Sequence, residues 1–182
     1  FYGVSSFNQP IGDWNTSLVT DMASMFNHAS AFDQPIGNWD VSAVTSMYSI
    51  FRAPNSFNQD IRNWNVSSVT NMASMFKGNK TFNQPIGNWN VSKVTNMNST
   101  FHHAEAFNQD LSKWNVSSVT TANAMFNRAY SFNQDISDWN VSAISDMNLI
   151  SNTSALSDVN KGLIHGTFSK NPNWTTDWSA YF

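Results

Sequence analysis

In "FNQPIGNWNVSKVTNM", Phe82–Met97, each of Phe82, Ile86, Trp89, Val91, Val94 and Met97 has an apolar counterpart one period earlier and another one period later. The markers Phe7, Phe32, Phe57, Phe82, Phe107 and Phe132 recur at a constant interval without insertion or deletion, so the chain is a repeat array. With the marker Phe as position 1, position 3 is always Gln and position 8 always Trp (Trp14, Trp39, Trp64, Trp89, Trp114, Trp139). Position 5 is Ile or Leu, and positions 10 and 13 are β-branched in every turn. Position 16 is Met except at Ala122, and position 20 is Phe except at Ser151. A column that keeps its chemical type faces its own copies in neighbouring turns.

The division follows: residues 1–6 end a preceding repeat, six repeats occupy 7–31, 32–56, 57–81, 82–106, 107–131 and 132–156, and 157–182 form a C-terminal capping segment. Phe1 falls in register at position 20 and no initiator Met precedes it, so the chain is expected to be a piece of a longer one.

Only 12% of the 182 residues are charged, the net charge is -3, and Glu105 is the single Glu. Asn, Ser and Thr do the solvating. That balance argues against a nucleic-acid partner, which needs a basic face, and no apolar run is long enough to cross a bilayer. The absence of Cys leaves no disulfide framework and no thiol site, with the redox compartment open.

A 25-residue period is too short for two-helix repeats and fits the leucine-rich or β-solenoid range of roughly 20–29 residues. Trp89 and Val91 alternate with Asn90 and Ser92, the period of a half-buried strand. Short parallel strands are therefore expected near positions 3–5 and 13–16. Position 15 is Asp21, Ser46, Asn71, Asn96, Thr121 and Asp146, side chains that cap helix N-termini. Met22, Met25 and Phe26 then share one face of a short helical or 3-10 turn. The fold class expected is a solenoid whose turns are stable only through their neighbours, because one turn buries too little to offset its backbone entropy. After Leu156 the register stops; Ser157 is set to cap a helix bearing the pairs Val159 with Leu163 and Ile164 with Phe168, ended by "NPN". Trp174, Trp178 and Phe182 are expected to fold back over the last turn, the other reading being an aromatic ligand platform.

"WNVSSVTNMASMF" (Trp64–Phe76) and the looser "WDVSAVTSMYSIF" (Trp39–Phe51) resemble the repeat of the BspA-like leucine-rich repeat surface proteins, the DUF285 family. The resemblance covers residues 1–156. It implies a right-handed, leucine-rich-repeat-like solenoid, secreted or displayed on a cell surface, with relatives linked to adhesion and with no catalytic residues to carry over. Departures are local: Arg62, Ser112 and Ser137 replace the Gly of position 6.

Catalysis requires unlike titratable groups brought together, and the four His residues, His28, His102, His103 and His165, are scattered between turns and cap. No enzyme activity and no cofactor are expected. Position 4 reads Pro10, Pro35, Asp60, Pro85, Asp110, Asp135. Asp110 and Asp135 would stack on adjacent turns, a contact that Ca²⁺ could relieve, against the simpler reading of a solvated corner where Pro and Asp are both turn residues. Asn15, Asn65, Asn90, Asn115 and Asn140 form N-x-S/T sequons too closely stacked to carry glycans and read as a structural ladder, whereas Asn79, Asn98, Asn152 and Asn173 are the better acceptors.

The expected function is a non-enzymatic extracellular or cell-surface module whose partners are protein or glycan. Specificity is expected where the columns vary, at positions 21–24: Arg52, Asn55, Lys77, Lys80, His102, His103, Glu105, Arg128 and Tyr130. The alternative is an ice- or polysaccharide-binding module that uses outward Ser/Thr ladders at positions 11 and 14, such as Ser67 with Thr70 and Ser92 with Thr95.

Overall fold

Successive turns lie on one another in register. The computed structural model describes residues 1–54, 56–146, 148 and 155–182. Phe26, Phe51, Phe76, Phe101 and Phe126 form one aromatic column with ring centroids 5.6–5.8 Å apart. The marker Phe residues form a second column at 5.9–6.2 Å. The two columns meet at 3.8–4.0 Å, where each position-20 ring stacks on the marker ring that follows it. Beside them, each Trp from Trp39 onward donates its Nε1–H to the position-5 carbonyl of the preceding turn, at 3.0–3.2 Å. The indole is buried and its one polar atom is satisfied by the turn beneath. Trp14 has no such carbonyl beneath it among the described residues and is 48% exposed.

The strands expected in each turn do not form. Among the described residues, neighbouring turns share only isolated parallel bridges at position 15, Asp21–Ser46, Ser46–Asn71, Asn71–Asn96 and Asn96–Thr121, and the only helical elements lie in the tail. A β-solenoid or leucine-rich-repeat solenoid with parallel strands is thereby overturned, and so is the helical or 3-10 turn after position 15. The reason lies in the alternation of amides. Those of Met22, Ser24, Phe26 and His28 donate to carbonyls of the next turn at 2.7–3.0 Å, while those of Met25, Asn27 and Ala29 reach back to Met22, Ser24 and Phe26 at 3.0–3.2 Å. Ser24 and His28 take left-handed φ of 58°. A strand needs consecutive extended residues and a helix consecutive right-handed ones; alternation excludes both while leaving most of the segment's amides bonded. The position-15 side chains close local turns instead of capping a helix, as where Asp21 Oδ1 accepts the Ala23 amide at 2.8 Å.

A second set of inter-turn bonds runs along position 2. Asn8, Asp33, Asn58, Asn83 and Asn108 each accept, on Oδ1, the position-2 amide of the following turn at 2.9–3.0 Å. The Gln at position 3 donates Nε2–H back to the same rung, as Gln84 does to the Asn58 carbonyl at 2.9 Å.

The tail begins with α1, Asp158–Phe168, capped by the Ser157 side chain, which accepts the Asn160 amide. Ile164 and Phe168 are fully buried, whereas Val159 and Leu163, the helix's other apolar pair, are 70% and 45% exposed. Trp174 and Trp178 are half-buried against the core, and Trp174 meets Phe168 edge-on at 5.5 Å. The 3-10 turn Ser179–Tyr181 lies across α1 at Gly162, where a Cβ would collide with the Tyr181 carbonyl. Phe182 rests on the outer side of α1 over Gly166 and stays 85% exposed, not folded onto the last turn.

Candidate functional site

The columns at positions 21–24 follow the alternating segment, where the left-handed residue at position 22 turns the chain outward: His28, Ala53, Gly78, His103 and Arg128 have φ of 56–71°. Glu105 Oε1 accepts from Lys80 Nζ at 2.9 Å and from His103 Nε2 at 3.1 Å. The His103 ring in turn meets Tyr130 edge-on at 6.1 Å. Three turns thus contribute to one connected group. The Lys80 contact, reinforced by its charge and by His103, holds the Glu105 carboxyl below its ordinary range.

His102 occupies the column between Lys77 and Asn127. Burial, then the charges of Lys77, His103 and Arg128, push its imidazole below the ordinary value. Among the described residues its Nδ1 is buried without a partner, as are Oδ1 of Asn27 and of Asn127 in the same column and Oγ of Ser49. Arg52 is half-buried in this column, and its carbonyl receives the His28 amide at 2.8 Å. Asn55 lies outside the described residues.

Asp110 and Asp135 are occupied locally. Each accepts, on Oδ1, the amide two positions on, from Ser112 at 2.8 Å and Ser137 at 2.9 Å; Asp60 accepts that of Arg62 at 3.0 Å. The Ser112 amide and hydroxyl, with Lys113 beside them, keep Asp110 below the usual carboxylate range. This explains a pairing between columns: Pro at position 4 goes with Gly at position 6, and Asp with a side-chain-bearing residue. Either Pro or the Asp side chain sets the corner. Among the described residues no three His, Asp or Glu side chains converge as a metal site.

The sequon Asn side chains make local bonds rather than a ladder between turns: Asn90 Oδ1 accepts the Ser92 amide at 3.2 Å and the Ser92 hydroxyl at 2.7 Å. Asn79, expected to be an accessible acceptor, is fully buried. Its Nδ2 donates to the Phe57 carbonyl at 3.1 Å, and its Oδ1 receives the Phe82 amide at 3.2 Å. Asn98 is half-buried and accepts the Asn123 amide, Asn173 is exposed, and Asn152 lies outside the described residues. The Thr ladder at position 14 faces solvent, but Thr45, Thr70, Thr95 and Thr120 each donate their hydroxyl to the Thr carbonyl one turn back at 3.2–3.3 Å. Those protons are committed within the stack.

Sequence reasoning missed the position-2 ladder, although Asn or Asp at position 2 before an invariant Gln was its signal. It also missed Asn171, buried under the cap, whose Nδ2 donates to the Val141 and Ile144 carbonyls at 2.8 and 3.0 Å. A cleft of about 260 Å³ at that seam is lined by Trp139, Ser142, Thr167, Lys170, Asn171 and Pro172, among others. Among the described residues no helix is long and apolar enough to cross a membrane.

A family profile described as Mycoplasma protein of unknown function, DUF285, matches residues 1–80 and 45–162. No curated protein and no solved structure matches the chain. The matched segments together run through all six turns and into the start of α1, and the chain belongs to the DUF285 family.

Proposed function

We propose that this chain is a non-enzymatic adhesive or scaffold surface, displayed outside the cell, that meets protein or glycan partners along positions 21–24. One observation carries the reading. The repeated columns are consumed by stacking and by inter-turn hydrogen bonds, whereas Lys80, His103, Glu105 and Tyr130 differ from their counterparts in most turns and assemble across three turns. Side chains that the stack does not need are where a partner can be specified. The likeness of the Trp64–Phe76 motif to BspA-like surface proteins supports the extracellular placement.

The test is binding of the labelled chain to arrays of extracellular-matrix proteins and glycans, beside a variant in which residues 77–80 and 102–105 are exchanged. Loss of the array signal on exchange is expected. No signal from the unaltered chain, or the same signal from both, overturns the reading.

A further inference from the structure

The chain's charge is segregated. Of 12 acidic residues, Glu105 alone occupies positions 21–25 of any turn, while Arg52, Lys77, Lys80 and Arg128 stand there together with His102 and His103. Glu105 is itself paired with Lys80 and accepts from His103 Nε2. The charges that bear on His102 are all cationic. A chain of net charge -3 therefore carries a positive edge that its composition conceals.

That edge spans positions 21–24, with Arg52 and Lys77 at position 21, Arg128 at position 22 and Lys80 at position 24, and has a fixed pitch. The Phe rings immediately beneath it, at position 20, repeat at 5.6–5.8 Å from turn to turn, so Arg52, Lys77 and Arg128 are carried on a rigid ruler. Within it, His102 Nδ1 and Asn127 Oδ1 are buried and have no partner among the described residues. Turning these two side chains toward a ligand breaks no hydrogen bond at either atom, and a ligand that bonds them removes the cost of leaving them unpaired. At the C-terminal end of the edge the Tyr130 ring is 44% exposed, a flat face of the kind on which a pyranose ring stacks.

We infer that the edge from Arg52 to Tyr130 binds a linear anionic polysaccharide, carboxylated or sulfated, lying along the stack. The inference rests on the adhesive-surface reading and names its ligand class. Charges carried at intervals on a stiff sugar chain suit a narrow row of fixed cations. A nucleic-acid strand presents denser charge, and its bases call for several stacking platforms where this edge offers Tyr130 alone at its end.

The experiment uses the full chain with three probes, dextran sulfate, polygalacturonate and a single-stranded oligonucleotide, at low and at physiological salt, with neutral dextran as the blank. Binding to one or both anionic polysaccharides is expected, weakening as salt rises because condensed counterions are released on binding; which of the two binds tells sulfate from carboxylate. The triple variant Lys77→Gln, Lys80→Gln, Arg128→Gln is expected to bind at least about tenfold more weakly, whereas Lys93→Gln, Lys113→Gln, Lys170→Gln, with the same change in net charge, is expected to bind as the parent does. Protection of Lys77 and Lys80 from acetylation in the unaltered chain by bound polysaccharide provides a readout that needs no variant. No polysaccharide binding at low salt, equal weakening in both triple variants, or tighter binding of the oligonucleotide overturns the inference. An array on which matrix proteins alone give signal sinks this inference and leaves the adhesive reading standing; an array without signal sinks the adhesive reading.

Discussion

The Ser157 amide donates to Asn133 Oδ1 at 2.9 Å, in the place where each earlier rung receives the amide of a following turn. Asn160 Nδ2 then bonds the same oxygen at 2.8 Å and the Asn133 carbonyl at 3.1 Å, as the position-3 Gln does elsewhere. The start of α1 thus presents the donors of a seventh turn, and the last rung is not left open. Asn133→Ala is expected to destabilise the chain by about 1–2 kcal/mol, since these bonds are solvent-exposed and each is worth about 0.5–1.5 kcal/mol. Faster hydrogen exchange confined to 157–168 locates the effect.

Trp89→Phe removes the donor to the buried Ile61 carbonyl, 3.2 Å away. The Ile61 carbonyl keeps the Trp64 amide at 3.1 Å, so the change costs one hydrogen bond, about 0.5–1.5 kcal/mol, and the smaller ring leaves a void besides. Trp14→Phe is expected to cost less, because Trp14 is 48% exposed. Denaturant unfolding of the two variants checks the order.

Ala53 and Ala124 hold left-handed φ of 56° and 53°. That conformation costs an L-residue about 1–2 kcal/mol, against about 0.5–1 kcal/mol of extra unfolded-state entropy for Gly. Ala53→Gly and Ala124→Gly are each expected to raise stability by up to about 1 kcal/mol, readable as a higher Tm.

Gly87 lies where a Cβ would collide with the Asp110 carbonyl of the next turn. Gly87→Ala is expected to push those turns apart at that corner and to cost about 2 kcal/mol or more, as overpacking against backbone does. A thermal melt reads it.

His102 is held below its ordinary value of 6.5 by burial and by Lys77, His103 and Arg128. Between the depressed value and 6.5 the unfolded chain binds more protons than the folded one. Stability therefore rises with pH across that window and is lost as pH falls through it. His102→Gln is expected to flatten the dependence in pH-resolved melts, and bound polysaccharide to flatten it in the parent chain.

Much of the candidate surface was legible because invariant columns mark what the stack consumes and variable ones what it leaves free. Lys80, Glu105, His103 and Tyr130 were identifiable as variable, but their assembly into one group was not, since it depends on how far each side chain reaches across a turn. Asn79 read as an accessible sequon because its motif is local, while its burial against the Phe57 carbonyl is a contact with the start of its own repeat, on the far side of the coil.

The period, the identity of the buried columns and the dependence of each turn on its neighbours follow from the letters alone, since a constant repeat spacing sets each repeated apolar residue against its own copies in the adjacent turns. The backbone state did not. Apolar residues spaced as Trp89 and Val91 fit a strand as well as the tight turns seen there, where the Trp89 amide bonds the Ile86 carbonyl and the Val94 amide the Val91 carbonyl. The choice between them rests on every second amide finding a carbonyl of the next turn, as Met22 does at Ser46, while the intervening ones turn back within their own, as Met25 does to Met22.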